Sequence, residues 1–222
     1  MAQGITYSVD MALCIDATSS MTPVIDMVKA NALKFHDDLA KAMAEKSKII
    51  DNLRIKVFVF RDYYVDSEPM RESPFFTLPA EKDSFKNFVS GIYADGGGDE
   101  PENGLEALSL AIKSDWAKTS DKQRQLIVMW TDASAHPLEK TGKPSQYPRG
   151  LPSDFNGLTD WWNGQDFVGA TSKRLIMYAP DAYPWTDIAN YWKLAIHYPS
   201  QGGKGLADMD YLQILDAIAA SV

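Results

Sequence analysis

Residues 7–21 read YSVDMALCIDATSSM, and this segment decides the fold class because an apolar strand ends in it and a polar loop begins. Residues 11–15 are apolar throughout, which is typical of a central strand covered on both faces of a parallel sheet. Pro23 suits the first turn of a helix, where its missing N–H removes no hydrogen bond. We therefore predict a strand, a short loop and a helix that runs towards Lys46.

The predicted loop carries three oxygen-bearing side chains spaced two apart, Asp16, Thr18 and Ser20. It lies at the carboxyl end of its strand, where open α/β sheets bind ligands. Carboxylate and hydroxyl oxygens suit a hard divalent cation such as Mg²⁺, which takes oxygen ligands and keeps several waters. The same residue types also cap helices, and the loop taken alone fits either role.

Length and composition indicate one domain of an ordinary globular protein, with 222 residues, 45% apolar and 23% charged. A formal net charge of −8 argues against a nucleic acid or an anionic membrane as partner. No apolar run approaches the roughly 20 residues of a membrane span and no secretory leader is recognisable, so we expect a cytoplasmic protein. The single cysteine, Cys14, excludes an internal disulfide and a cysteine-based zinc site.

Strand-like and helix-like segments alternate along the rest of the chain. Predicted strands cover residues 53–60, 125–130, 174–179 and 193–198; predicted helices cover 82–93, 101–112, 160–167, 185–192 and 209–219. Residues 75–78 lie between two prolines, which predicts a short antiparallel edge strand. The order predicts a doubly wound, Rossmann-like α/β fold: a mostly parallel central sheet with one antiparallel edge strand and helices on both faces.

Two further loops carry candidate ligands. Glycines 96–98 precede Asp99 and Glu100, and a glycine-rich turn allows backbone to come close to a bound ion. Asp132 and Ser134 directly follow the predicted strand 125–130, so two buried strands end in a carboxylate and hydroxyls. A single domain over 1–222 would bring these loops to one edge of the sheet, with residues 135–158 as a long loop inserted there.

With these segments in place, nearly the whole chain resembles a von Willebrand factor A (VWA) domain of the intracellular bacterial type. The resemblance is carried by Asp16-Ala17-Thr18-Ser19-Ser20-Met21, by the glycine run ending in Asp99, by Asp132 after an apolar strand, and by Phe60-Arg61-Asp62-Tyr63. It implies a metal-ion-dependent adhesion site (MIDAS) that binds Mg²⁺, with Mn²⁺ or Ca²⁺ as alternatives. The implied ligands are Asp16, Thr18, Ser20, Asp99 and Asp132, some of them through water.

Two positions depart from the pattern of that family. Thr18 stands where serine is usual, and the hydroxyl is retained. Asp99 stands where adhesion-type members carry threonine, so three carboxylates would surround the ion, hold it firmly and reduce its attraction for an acidic partner residue. Glu100, in the same turn, could supply this ligand instead.

The resemblance implies a non-enzymatic, metal-dependent protein–protein interaction module, an adaptor that docks another protein at the carboxyl-end rim of the sheet. The 135–158 loop leaves from that rim, so we expect it to frame the partner site. Candidate partner-binding residues are Glu100, Asp62, Ser134 and His136. For Asp62 a simpler role is hydrogen bonding at the rim, and for His136 a structural or solvated one.

An enzyme is the main alternative, a metal-dependent phosphohydrolase-like protein with Asp16 as nucleophile. Thr18 stands where phosphatases of the haloacid-dehalogenase type carry a second aspartate, which disfavours it. A serine hydrolase using Ser19 or Ser20 lacks a Gly-x-Ser-x-Gly elbow. A VWA scaffold without metal is a third alternative.

Overall fold

The computed structural model describes residues 5–96, 100–118 and 122–222. Its described strands form one sheet and are, in chain order, Ile5–Asp16 (β1), Lys48–Phe60 (β2), Met70–Glu72 (β3), Phe76–Leu78 (β4), Gln123–Trp130 (β5), Lys173–Pro180 (β6) and Ala195–Ser200 (β7). The sheet order is β3-β2-β1-β5-β6-β7, and β4 pairs with another part of β2. The apolar strand predicted before Asp16 is therefore the central strand β1, which pairs in parallel with β2 and β5.

Helices cover both faces of this sheet. They are Thr22–Asn31 (α1), Phe35–Glu45 (α2), Lys82–Ser90 (α3), Gly104–Ile112 (α4), Phe155–Asn163 (α5), Trp185–Tyr191 (α6) and Tyr211–Ser221 (α7). Side chains of α1, α2, α3 and α7 share one apolar core with Leu13 and Ile15, whereas those of α4, α5 and α6 share the other with Ala12 and Cys14. Successive β1 side chains thus enter opposite cores, which is why residues 11–15 are all apolar.

The predicted fold class is confirmed. The segment between the two prolines is β4, and it pairs antiparallel with β2 through Leu53 and Leu78. A second short strand, β3, also pairs antiparallel with β2, through Phe58 and Glu72. Three residues are too few to show a periodic pattern, so β3 left no signal in the sequence.

The single helix predicted to run towards Lys46 is wrong, because the chain forms α1 and α2 with a turn between them. The Asn31 side chain donates to the Met27 carbonyl oxygen at 2.7 Å, and the Lys34 amide bonds to the Asn31 carbonyl in a tighter turn. Asparagine competes in this way with the regular main-chain bonds of a helix.

The helix predicted at 160–167 begins earlier, as α5, because Asp154 caps it by accepting a hydrogen bond from the Gly157 amide at 2.7 Å. The long loop therefore ends before this helix, and the boundary predicted at 158 falls inside α5. Among the described residues, no helix is long and apolar enough to cross a membrane. The division into one domain and the cytoplasmic location stay predictions.

Candidate metal site at the carboxyl end of the sheet

Asp16, the last residue of β1, is fully buried beneath the loop that follows it. Its Oδ1 accepts hydrogen bonds from the Thr18 amide at 2.9 Å and the Thr18 hydroxyl at 2.7 Å. Its Oδ2 accepts one from the Thr131 hydroxyl at 2.7 Å. The carboxylate therefore fixes the loop that follows β1 and joins it to the end of β5.

Asp132 lies beside this loop because β1 and β5 run in parallel with Ile15 opposite Trp130. Ser20 Oγ donates to Asp132 Oδ1 at 3.0 Å, and the hydroxyl oxygens of Thr18 and Ser20 are 3.5 Å apart. The structure thus brings together four of the five predicted ligands, Asp16, Thr18, Ser20 and Asp132. Of these four, Ser20 is exposed and the others are buried.

The fifth predicted ligand, Asp99, lies outside the described residues, as do Gly97 and Gly98. The glycine turn begins beside the first loop, since the Gly96 carbonyl accepts from the Ser19 hydroxyl at 2.9 Å. Glu100 is exposed, and its Oε2 accepts from the Ser134 hydroxyl at 3.4 Å. The choice between Asp99 and Glu100 as ligand stays open.

The electrostatics of the site favour a cation. Burial raises the pKa of Asp16 to about 6; hydrogen bonds from Thr18 and Thr131 oppose the rise, and the nearby Asp132 carboxylate adds to it. Within the described part of the chain, neither carboxylate takes part in a salt bridge. Two neighbouring buried carboxylates without a basic partner repel each other, which a bound divalent cation would relieve.

The donor set also has the right chemistry, since carboxylate and hydroxyl oxygens are ligands that Mg²⁺ accepts. In the described ranges, no three His, Cys, Asp or Glu side chains are grouped as a metal site. Thr18 and Ser20 supply hydroxyls beside the two described carboxylates of the candidate site, and the third predicted carboxylate, Asp99, lies outside these ranges.

A third element of the site, the loop after β7, was missed by the sequence analysis. The Gly203 amide donates to the Asp132 carbonyl at 2.9 Å, and the Gly205 amide donates to Asp132 Oδ2 at 2.6 Å. Gly205 has a φ of +61°, and a Cβ there would lie 1.8 Å from the Ser20 carbonyl oxygen. Only glycine fits this approach. The signal was present as the glycine-rich run 201–205 after the last strand.

Arg61 was also missed as a site residue, although it directly follows β2 and lies beside the first loop. Its buried guanidinium donates to the carbonyl oxygens of Ala17 at 3.0 Å, Glu68 at 3.1 Å and Tyr93 at 2.8 Å. It therefore links the first loop to two other loops of the rim. The signals were a basic residue directly after an apolar strand and its place in the Phe60-Arg61-Asp62-Tyr63 segment of the resemblance.

The four predicted partner-binding residues fall into two pairs. Asp62 and His136 are buried, with 3.2 Å between Asp62 Oδ2 and His136 Nε2, and Lys140 Nζ lies 2.9 Å from the same nitrogen. Glu100 is exposed and Ser134 half-buried, so these two face the solvent above the site. Their roles in partner binding stay predictions.

Comparison with known proteins gives a family model, a relative and solved structures of similar fold. The model of the von Willebrand factor A domain matches residues 10–145. The alpha-protein kinase vwkA of Dictyostelium discoideum is 28% identical over 145 residues, which are 65% of this chain and 21% of that protein. This chain thus spans about a fifth of the length of that relative.

Solved structures of the pilus adhesin SpaC from Lactobacillus rhamnosus GG are similar in fold. One has a TM-score of 0.56 at 8% sequence identity, and the match covers 96% of this chain and 30% of the adhesin. The open conformation has a TM-score of 0.54 at 10% identity, with the same coverage. At such identities the similarity concerns the fold alone.

Proposed function

This chain belongs to the von Willebrand factor A domain family, and we propose that it is a non-enzymatic, metal-dependent module that docks another protein at the carboxyl-end rim of its sheet. Domains of this family commonly serve adhesion and protein interaction. The observation that carries the proposal is the pair of buried carboxylates, Asp16 and Asp132, held beside two hydroxyls and without a basic partner among the described residues.

In this proposal Asp16, Thr18, Ser20 and Asp132 hold a divalent cation, most simply Mg²⁺, together with a carboxylate of the glycine turn. When bound, the cation would offset the charge of these carboxylates and offer a coordination position to an acceptor oxygen of the partner. The chain's own residues position the donors. Asp16 orients the Thr18 hydroxyl, and Gly205 orients Asp132.

The burial of Asp16 supports a binding role over the phosphohydrolase alternative. A carboxylate nucleophile must reach the phosphorus of its substrate directly, whereas both oxygens of Asp16 accept hydrogen bonds inside the protein and the side chain is fully buried; a cation can be held by such a carboxylate through water. The Dictyostelium relative is named a kinase, but this chain matches only about a fifth of that protein. We therefore propose no kinase activity for this chain.

A pull-down from the source cell tests the proposal, with the wild type and Asp132→Asn as baits in Mg²⁺ and in EDTA. Asp160→Asn, an exposed change on α5, is the matched control. We expect a specific protein to bind the wild type and the control in Mg²⁺, and to be lost in EDTA and with Asp132→Asn. Equal capture in EDTA would contradict the metal dependence. Turnover of a phosphate ester that Asp16→Ala abolishes would overturn the non-enzymatic role.

A further inference from the structure

Arg61 lies where three loops of the rim meet, and each of its three guanidinium nitrogens binds a different loop. Nε donates to the Ala17 carbonyl, Nη1 to the Glu68 carbonyl and Nη2 to the Tyr93 carbonyl. Arg61 is only 7% exposed, and it makes no salt bridge with any described residue. A buried positive charge is therefore held by carbonyl oxygens, without an acidic partner in the described part of the chain.

The main chain of Arg61 binds the far end of one of these segments. The Arg61 carbonyl accepts a hydrogen bond from the Asn103 amide at 3.2 Å, while Nη2 donates to the Tyr93 carbonyl at 2.8 Å. Between Tyr93 and Asn103 the sequence carries the glycine turn with Asp99 and Glu100. A single residue thus holds both ends of the segment that supplies the third predicted carboxylate.

The beginning of this segment also contacts the first loop. The Ala17 carbonyl accepts hydrogen bonds from Arg61 Nε and from the Asp95 amide, each at 3.0 Å. The Gly96 carbonyl accepts one from the Ser19 hydroxyl at 2.9 Å. The position of the glycine turn relative to the first loop therefore depends on a small set of bonds in which Arg61 takes part.

The shape of the arginine side chain suits this arrangement better than its charge alone does. A guanidinium group presents its donors in a rigid planar fork, whereas a lysine ammonium is a single nitrogen that cannot reach three separate carbonyls. Burying a charge without an acidic partner costs free energy, so a gain in stability is a poor reason for an arginine at this position. A role in positioning the loops accounts for it.

We propose that Arg61 is a positioning residue for the divalent cation at the rim. It holds the glycine turn at the distance from the first loop at which donors of both can reach one ion, and it does not contact the ion itself. Residues that orient metal ligands in this way typically change metal affinity by about 10-fold to 100-fold when they are altered. This role rests on the proposed function.

Calorimetric titration of the full chain with Mg²⁺, after metal has been removed with EDTA, tests the proposal. Arg61→Lys keeps the charge and should bind Mg²⁺ about tenfold to a hundredfold more weakly than the wild type. Arg124→Lys is the matched control, because Arg124 also donates to two main-chain oxygens, those of Val222 at 2.7 Å and Gln123 at 3.1 Å, at the start of β5. This end of β5 is opposite to the rim, so the control should bind Mg²⁺ as the wild type does.

Ser19→Ala tests the same arrangement without depending on how well Arg61→Lys folds. Ser19 is exposed, and the change removes only its hydroxyl bond to the Gly96 carbonyl. It should weaken Mg²⁺ binding about threefold to tenfold, as for loss of one neutral hydrogen bond. Hydrogen exchange in EDTA adds a measurement without metal: the Asp95 and Asn103 amides should exchange about tenfold faster in Arg61→Lys than in the wild type.

Unchanged Mg²⁺ affinity in Arg61→Lys or in Ser19→Ala would overturn the positioning role. An equal loss of affinity in Arg124→Lys would also overturn it, because that result would indicate a general loss of stability. If the wild type binds Mg²⁺ and Arg61→Lys binds it equally well, the metal site stands and only the role of Arg61 falls. If the wild type itself does not bind Mg²⁺, the proposed function fails and the role of Arg61 fails with it.

Discussion

The Tyr147 phenol donates a hydrogen bond of 2.7 Å to Oε1 of Glu106, and this bond ties the long rim loop to α4. Glu106 is 1% exposed, and its burial raises the pKa of the carboxyl group; the hydrogen bond from Tyr147 partly opposes that rise. The rings of Tyr147 and Tyr63 lie 5.3 Å apart, which adds a contact with the end of β2. The loop that follows Asp132 is thus anchored at a buried acid.

Tyr147→Phe should lower the free energy of unfolding by about 1–3 kcal/mol, because it leaves a buried carboxyl oxygen without its donor. Urea unfolding measures the change. Tyr183→Phe is the control, since Tyr183 is 40% exposed and no hydrogen bond of its phenol is present in the described structure. Equal losses for the two variants would show that the bond to Glu106 contributes nothing.

Glu106→Gln should make the protein more stable at pH 8 and less dependent on pH. Folding raises the pKa of Glu106 above its value of about 4.5 in the unfolded chain. The contribution of Glu106 to the free energy of unfolding is therefore fully present below the unfolded pKa and is lost as pH rises through the folded pKa. Glu106→Gln removes this shift in pKa, and each unit of the shift corresponds to about 1.4 kcal/mol in the free energy of unfolding.

Unfolding by urea at several pH values between 4 and 8 measures this effect as a gain for Glu106→Gln that grows with pH. Glu45→Gln, on an exposed position of α2, should change the profile little. If the gain in the free energy of unfolding were constant from acid to neutral pH, it would come from packing, and the buried charge would have no effect.

Asp16→Asn should separate two effects of the buried carboxylate, its cost to stability without metal and its role in stabilisation by Mg²⁺. With EDTA at neutral pH, the variant should be more stable than the wild type by up to about 3 kcal/mol, since burial raises the pKa of Asp16 from 3.8 to about 6. In Mg²⁺, the wild type should gain stability with ion concentration, whereas the variant should not. Thermal unfolding measures both, and an equal response of the two proteins to Mg²⁺ would refute a metal ligand at this position.

Gly205→Ala should disrupt the site far more than Gly203→Ala, although both glycines have positive φ. The left-handed conformation alone costs about 1–2 kcal/mol for alanine, which is the loss expected at Gly203, where a Cβ meets nothing within 4 Å. At Gly205 the Cβ would collide with the Ser20 carbonyl and displace the amide bonded to Asp132. Unfolding with and without Mg²⁺ compares the variants; similar losses would contradict the close approach.

The sequence by itself determined the central strand, the class of sheet and two of the loops at its carboxyl edge. These follow from local chemistry: residues 11–15 are apolar because both faces of β1 are covered, and the polar side chains of Asp16, Thr18 and Ser20 mark where the strand ends and its loop begins. The sequence pattern also predicted that Asp132 lies at this edge, because an apolar strand, β5, is followed by a carboxylate and hydroxyls as β1 is.

Only the tertiary structure decided how the candidate site is held together. The hydroxyl of Thr131 on Asp16, the three carbonyls bound by Arg61 and the amide of Gly205 on Asp132 join segments far apart in the chain. Such contacts depend on strand register and on how closely two backbones approach. The spacing of apolar residues along the chain predicts neither quantity.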